Sequence, residues 1–127
     1  MKDQHLLISL AKYVIPKELL EYFELTAIEE AGEVLHFHFD ELNIIPEEYS
    51  ALPLSANGFY EESTIKDFPL RDRKVILHIR RRRWVDDVGK SYSRDWDLVA
   101  EGTRYSREFA SFLKEAFGYL PDSSPIT

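Results

Sequence analysis

Residues 74–84 open with Lys74, pass through Val75, Leu77 and Ile79, and end in four consecutive arginines and a tryptophan, Trp84. The apolar residues recur at period two, which predicts a half-buried strand. Adjacent cations repel, so a folded domain holds Arg80, Arg81, Arg82 and Arg83 together most easily where an anion or acidic neighbours screen them. Alternate side chains of a strand leave on opposite faces, so Arg80 and Arg82 point one way and Arg81 and Arg83 the other. At least one pair should face solvent, with Trp84 beside it as an aromatic platform. Guanidinium groups next to an exposed aromatic suit phosphate and base contact. The competing reading is a solvated strand end paired with nearby Asp and Glu.

The net charge of −7 hides an asymmetry that sharpens this choice. Residues 1–63 carry three lysines and no arginine against 13 acids, whereas residues 64–107 carry 12 Lys and Arg against seven acids. A basic half points to a nucleic-acid or acidic partner, unless the acidic half neutralises it internally or faces a basic protein. The 44% hydrophobic content, with eight Phe, seven Tyr and two Trp in 127 residues, predicts one domain with its own core over residues 1–120 and a frayed tail over 121–127. The chain has no cysteine, which excludes disulfides and thiolate metal sites and fits a reducing compartment. No apolar run approaches a membrane span and the start lacks a signal-peptide pattern, so the expected setting is the cytoplasm, without a membrane partner.

Taken in order, residues 5–14 and 17–23 read as short helices, the second opened by Pro16. Residues 24–42 form a β-hairpin around a turn at residues 29–32. Residues 43–58 hold two prolines and end in Asn57 and Gly58, a turn signal, and form a connection that packs Ile44, Ile45, Tyr49 and Leu54. Residues 60–99 read as a three-stranded antiparallel meander whose middle strand is the arginine strand and whose third strand, residues 91–99, carries Trp96. Thr103 is a good N-cap for a last helix. Tyr105, Phe109, Phe112, Leu113, Ala116 and Phe117 make its apolar stripe, and Gly118 and Pro121 end it. The fold class is therefore α+β: N-terminal helices, a hairpin, and a meander covered by an amphipathic helix.

His36 and His38 share one side of a strand, and imidazole is the commonest metal ligand. A metal site needs at least a third ligand. The other internal histidine is His78, on the arginine strand. The expectation is a strand face with satisfied ring nitrogens, with no metal and no cofactor. The adjacent acid pairs, such as Glu29 with Glu30 and Glu61 with Glu62, diverge on a strand and do not form an acid–base dyad. No glycine-rich phosphate loop and no nucleophile elbow is present, so nothing supports an enzyme. Beyond the run, Lys90, Arg94, Arg104 and Arg107 extend the cationic set. Arg104 and Arg107, three apart near a helix N-terminus, sit where phosphate is favoured.

Residues 64–84, followed by 94–96 and 102–110, resemble the N-terminal region of bacterial insertion-sequence transposases, and residues 43–49 belong to the same pattern. The likeness spans residues 17–117. A wider group of transposases is similar over the same pattern and places a cysteine-ligated zinc ribbon before a helix-turn-helix; with no cysteine here, packing must replace that metal. The resemblance implies a non-catalytic DNA-binding part that contacts duplex DNA at element ends. Its contact residues would be Arg80, Arg81, Arg82, Arg83, Trp84, Lys90, Arg94, Arg104 and Arg107. Strand transfer would belong to a catalytic transposase subunit, which this short chain has no room for and which could be separately encoded. The alternative is an assembly module of the transposase that does not touch DNA.

Overall fold

A hairpin comes first in the strand order. Strand β1 (Phe23–Ala31) and strand β2 (Val34–Glu41) pair antiparallel through the two-residue loop 32–33, where Gly32 adopts φ 64°, a conformation that favours glycine. The structure, a computed structural model, describes residues 4–66, 74–96, 99 and 107–117. Before the hairpin lie α1 (Gln4–Ala11) and α2 (Lys17–Tyr22), as the helical spacing predicts, although Phe23 starts the strand instead of ending the helix. The register of β1 shifts between Leu25 and Ala27. This bulge lets Leu25 and Ile28, three apart, both bury on the core side.

After β2 the chain passes through a 3-10 turn at Glu47–Tyr49 and strand β3 (Ser55–Phe59) to the short strand β4 (Ser63–Ile65). Strand β5 (Lys74–Arg80) then inserts beside β2, parallel to it, and pairs antiparallel with β4 on its other side. The larger sheet thus has the order β1-β2-β5-β4. Its inner face is apolar: Phe37, Phe39, Ile65, Val75, Leu77 and Ile79 are all buried. The helices cover that face, with Leu19 and, from α3 (Arg107–Phe117), Phe109, Phe112 and Leu113 in the same cluster. Each such side chain contributes about 1.5–3 kcal/mol by leaving water. The α+β class and the docked last helix are as the sequence indicates.

The expected single meander is instead divided between two sheets. The arginine strand breaks at Arg81, and β6 (Arg82–Val85) joins a smaller sheet of order β3-β6-β7, where β7 is only Ser91–Tyr92. Trp96 is not in a strand; it lies in a helical turn, stacked on Phe23 and Phe117 at centroid distances of 5.5 and 4.8 Å. Gly58, at φ 73°, sits in a register irregularity of β3 instead of a free turn. Ile44 and Ile45 stay largely exposed, while Tyr49 meets the Tyr92 ring at 5.1 Å. The expected cap Thr103, the residues Arg104 and Tyr105, and the stop at Gly118 and Pro121 lie outside the described residues. No helix among the described residues is long and apolar enough to cross a membrane.

Candidate functional site

The arginine run meets the acidic hairpin because β5 lies in parallel register with β2, which sets Asp40 opposite Arg80. Arg80 grips Asp40 with two parallel hydrogen bonds, Nε to Oδ1 and Nη2 to Oδ2, both 2.7 Å. Such bidentate pairs are the strong ones among charge-assisted bonds. Arg82 leaves on the same side, and both guanidinium groups lie over the Phe59 ring, at 4.1 and 4.6 Å.

Glu41 ends β2 pointing inward and is 1% exposed. Its Oε1 accepts the backbone N–H of Arg82 at 2.9 Å, and its Oε2 accepts Arg94 Nε at 3.1 Å. Arg82 Nε donates to the Glu41 carbonyl at 3.0 Å, and Arg94 Nη2 to the Ile44 carbonyl at 2.8 Å. Burial pushes the Glu41 carboxyl above its ordinary value, against the opposing pull of the Arg82 N–H and the Arg94 charge. Glu41 therefore joins the two sheets: it caps the start of β6 and anchors the segment after β7.

Trp84 is not a surface platform. It is fully buried, paired between Ala56 and Tyr92, and its indole N–H donates to Asn43 Oδ1 at 2.9 Å. Arg94, with its side chain 12% exposed, is likewise committed to the fold. Arg81 and Arg83 differ. The Arg81 guanidinium lies between the Tyr60 and Phe117 rings at 5.1 and 5.6 Å, and Arg83 Nε donates to the Asn57 carbonyl at 3.2 Å. Among the described residues neither has a carboxylate within ion-pair distance, and both are partly exposed. Lys90 is exposed beside the Tyr92 ring, and Arg107 is exposed at the start of α3. Arg104 aside, which lies outside the described residues, the structure divides the expected contact set into the ion-paired Arg80 and Arg94, Arg82 held by the Glu41 carbonyl, the buried Trp84, and a residual group of Arg81, Arg83, Lys90 and Arg107. Asp86, close to the run in sequence, accepts the N–H groups of Val88 and Lys90 and the Tyr92 hydroxyl.

The outer face of the larger sheet holds a second grouping. The β2–β5 register places His38 directly beside His78, and their rings stack at 4.5 Å. His36 Nδ1 meets His78 Nε2 at 2.8 Å, His78 Nδ1 meets Glu62 Oε2 at 2.7 Å, and His38 Nε2 meets Glu29 Oε1 at 2.8 Å. With one proton per neutral ring, His78 Nδ1–H donates to Glu62, leaving Nε2 to accept from His36 Nδ1–H. The face opens on a cleft of about 330 Å³ lined by Glu29, His38, Glu62 and His78, with Asp40 and Arg80 also lining it. Both ring nitrogens of His78 and one each of His36 and His38 have partners, and these are the histidines themselves and two glutamates. Period two in residues 36–38 and 75–79 puts His36, His38 and His78 on the outer face; only the pairing of the two strands says that they meet.

No protein-family model, no curated protein and no solved structure matches this chain.

Proposed function

We propose that this chain is a non-catalytic, DNA-contacting accessory region of an insertion-sequence transposase, working at element ends beside a catalytic subunit. The sequence resemblance supplies the family. The observation that carries the contact is the division of the arginine run. Asp40 and Glu41 ion-pair Arg80 and Arg94, while Arg81, Arg82 and Arg83 have no carboxylate within ion-pair distance among the described residues. Arg82 is held by the Glu41 carbonyl, and Arg81 senses the Glu41 charge only at longer range. An arginine held by an aromatic ring or a carbonyl retains further N–H donors for phosphate. On this reading Arg81 and Arg83 are the main phosphate contacts, extended by Lys90 and Arg107, and Trp84 supports them from within. The place of action is the cytoplasm, where bacterial DNA lies, and no membrane partner is involved.

A second reading has its own support. Leu10 on α1 is 56% exposed and Tyr13 just after it 87% exposed, in the acidic half of the chain. Apolar side chains of this kind suit a protein partner, so the chain would assemble the transposase without touching DNA. Titration of an element-end duplex and a scrambled duplex at low salt separates the two. Salt-sensitive binding of duplex supports the DNA role. Absence of binding to both, with retention of the catalytic subunit on immobilised chain, supports the assembly role.

A further inference from the structure

We propose that the histidine face of the larger sheet is a divalent transition-metal site, with His38, His78 and Glu62 as ligands and His36 and Glu29 orienting them. The inference does not depend on the DNA reading. One ring nitrogen from each of His38 and His78 and one oxygen of Glu62 lie within 4.8 Å of one another. The three come from different parts of the chain: β2, β5 and the residue just before β4. Their convergence is a product of sheet order, since β5 sits between β2 and β4. Strands spaced about 4.8 Å apart set two cross-strand imidazoles at a separation that a single ion can span.

Metal–ligand bonds of about 2.0–2.1 Å put the donor atoms of a tetrahedral zinc site about 3.3 Å apart. Here the donors lie within 4.8 Å of one another and His78 Nδ1 is 2.7 Å from Glu62 Oε2, so the set must adjust to admit an ion. The side chain that can adjust is available. Glu62 is 43% exposed and precedes its strand, whereas His38 and His78 are 31% and 18% exposed and are fixed by ring stacking. The ligating histidines also have outer partners of the kind that fix ring orientation: His38 has the Glu29 carboxylate, and His78 has His36 on the nitrogen that does not face Glu62. On binding a metal, His78 would take the tautomer with its proton on Nε2, donated to His36 Nδ1, and free Nδ1 as the ligand.

Charge and ligand chemistry select the ion. The third nearby carboxylate, Asp40, is ion-paired with Arg80, whose charge also acts on Glu62, and Glu29 and Glu62 supply the remaining negative charge beside the imidazoles. That balance suits a divalent cation. Two imidazoles and one carboxylate favour zinc, nickel or cobalt over the oxygen-seeking magnesium and calcium. Three protein ligands leave a coordination position for water.

The test is calorimetric titration of Zn²⁺ into the chelator-treated full chain, with visible absorption of the Co²⁺ form as a second readout. The expected result is one equivalent bound by the wild type. Glu62→Gln and His38→Asn should each weaken binding by more than the roughly tenfold cost of losing an outer partner, and His36→Asn by about that tenfold. His5→Asn, on α1, should bind like the wild type. Glu62 is surface-exposed, so its variant tests the site without threatening the core. No binding by the wild type, or equal binding by wild type, Glu62→Gln and His38→Asn, would overturn the proposal.

Discussion

Glu41 is the residue on which the geometry of the cationic strand depends. Replacing it with alanine strands Arg94, whose side chain is 12% exposed, without its counter-charge. Breaking a buried pair from one side costs about 3–5 kcal/mol, so Glu41→Ala should lower the urea midpoint sharply. The pH response has a definite sign. Burial raises the native carboxyl above its ordinary 4.5, so folding favours the protonated form. The contribution of this group is smallest above its raised native value and grows as pH falls from there toward 4.5. Glu41→Gln cannot titrate, so the wild type should gain stability relative to it across that window, read from urea curves at several pH values. A gap that shrinks on acidification would show that Glu41 is instead held ionised by its arginines. Trp84 and Trp96 are both buried, so tryptophan emission should be blue-shifted, resist iodide quenching and stay unchanged on adding duplex. Quenching by DNA would put Trp84 back at the surface. Nothing local in the sequence distinguishes a stacking tryptophan from a core one; the deciding partner, Asn43, lies 41 residues away.

At the scale of elements, the hairpin, the first part of the arginine strand and the last helix were legible because their apolar periods are local. Phe109, Phe112 and Leu113 fall on one stripe and are all buried at 1% exposure or less. Phe109 stacks on Tyr22 and Phe112, so Phe109→Ala should cost about 3–5 kcal/mol, seen as a lower denaturant midpoint. An unchanged midpoint would mean that the helix does not hold the core. The parallel pairing of β2 with β5 was not legible, because strands joined by a long crossover carry no turn signal to announce their register. That pairing decides both candidate sites: it sets Asp40 on Arg80 and His38 beside His78. The break at Arg81 was hidden for a related reason. Unbroken polarity from residue 80 to 83 looks like one strand, and only the Glu41 cap on the Arg82 N–H marks where a second sheet begins.

For the whole molecule, the charge asymmetry is partly an internal device and partly a surface one. The acidic half supplies Asp40 and Glu41 to the basic half, which binds Arg80, Arg82 and Arg94 into the fold. Among the described residues of the basic half, Lys66, Lys74, Lys90 and Arg107 are exposed and Arg81 and Arg83 are half-buried without an ion pair, on a protein whose net charge of −7 opposes DNA at long range. Affinity should therefore be modest and strongest at low salt. The direct measurement is the salt dependence of duplex binding for two double variants. Each phosphate contact contributes about −0.9 to the slope of log K against log salt, so Arg81→Ala with Arg83→Ala should flatten the slope by up to about two units. Arg80→Ala with Arg82→Ala should leave the slope in place and lower the melting temperature instead. A wild type that binds no duplex, or a slope flattened by the Arg80 and Arg82 pair and untouched by the Arg81 and Arg83 pair, would contradict the account.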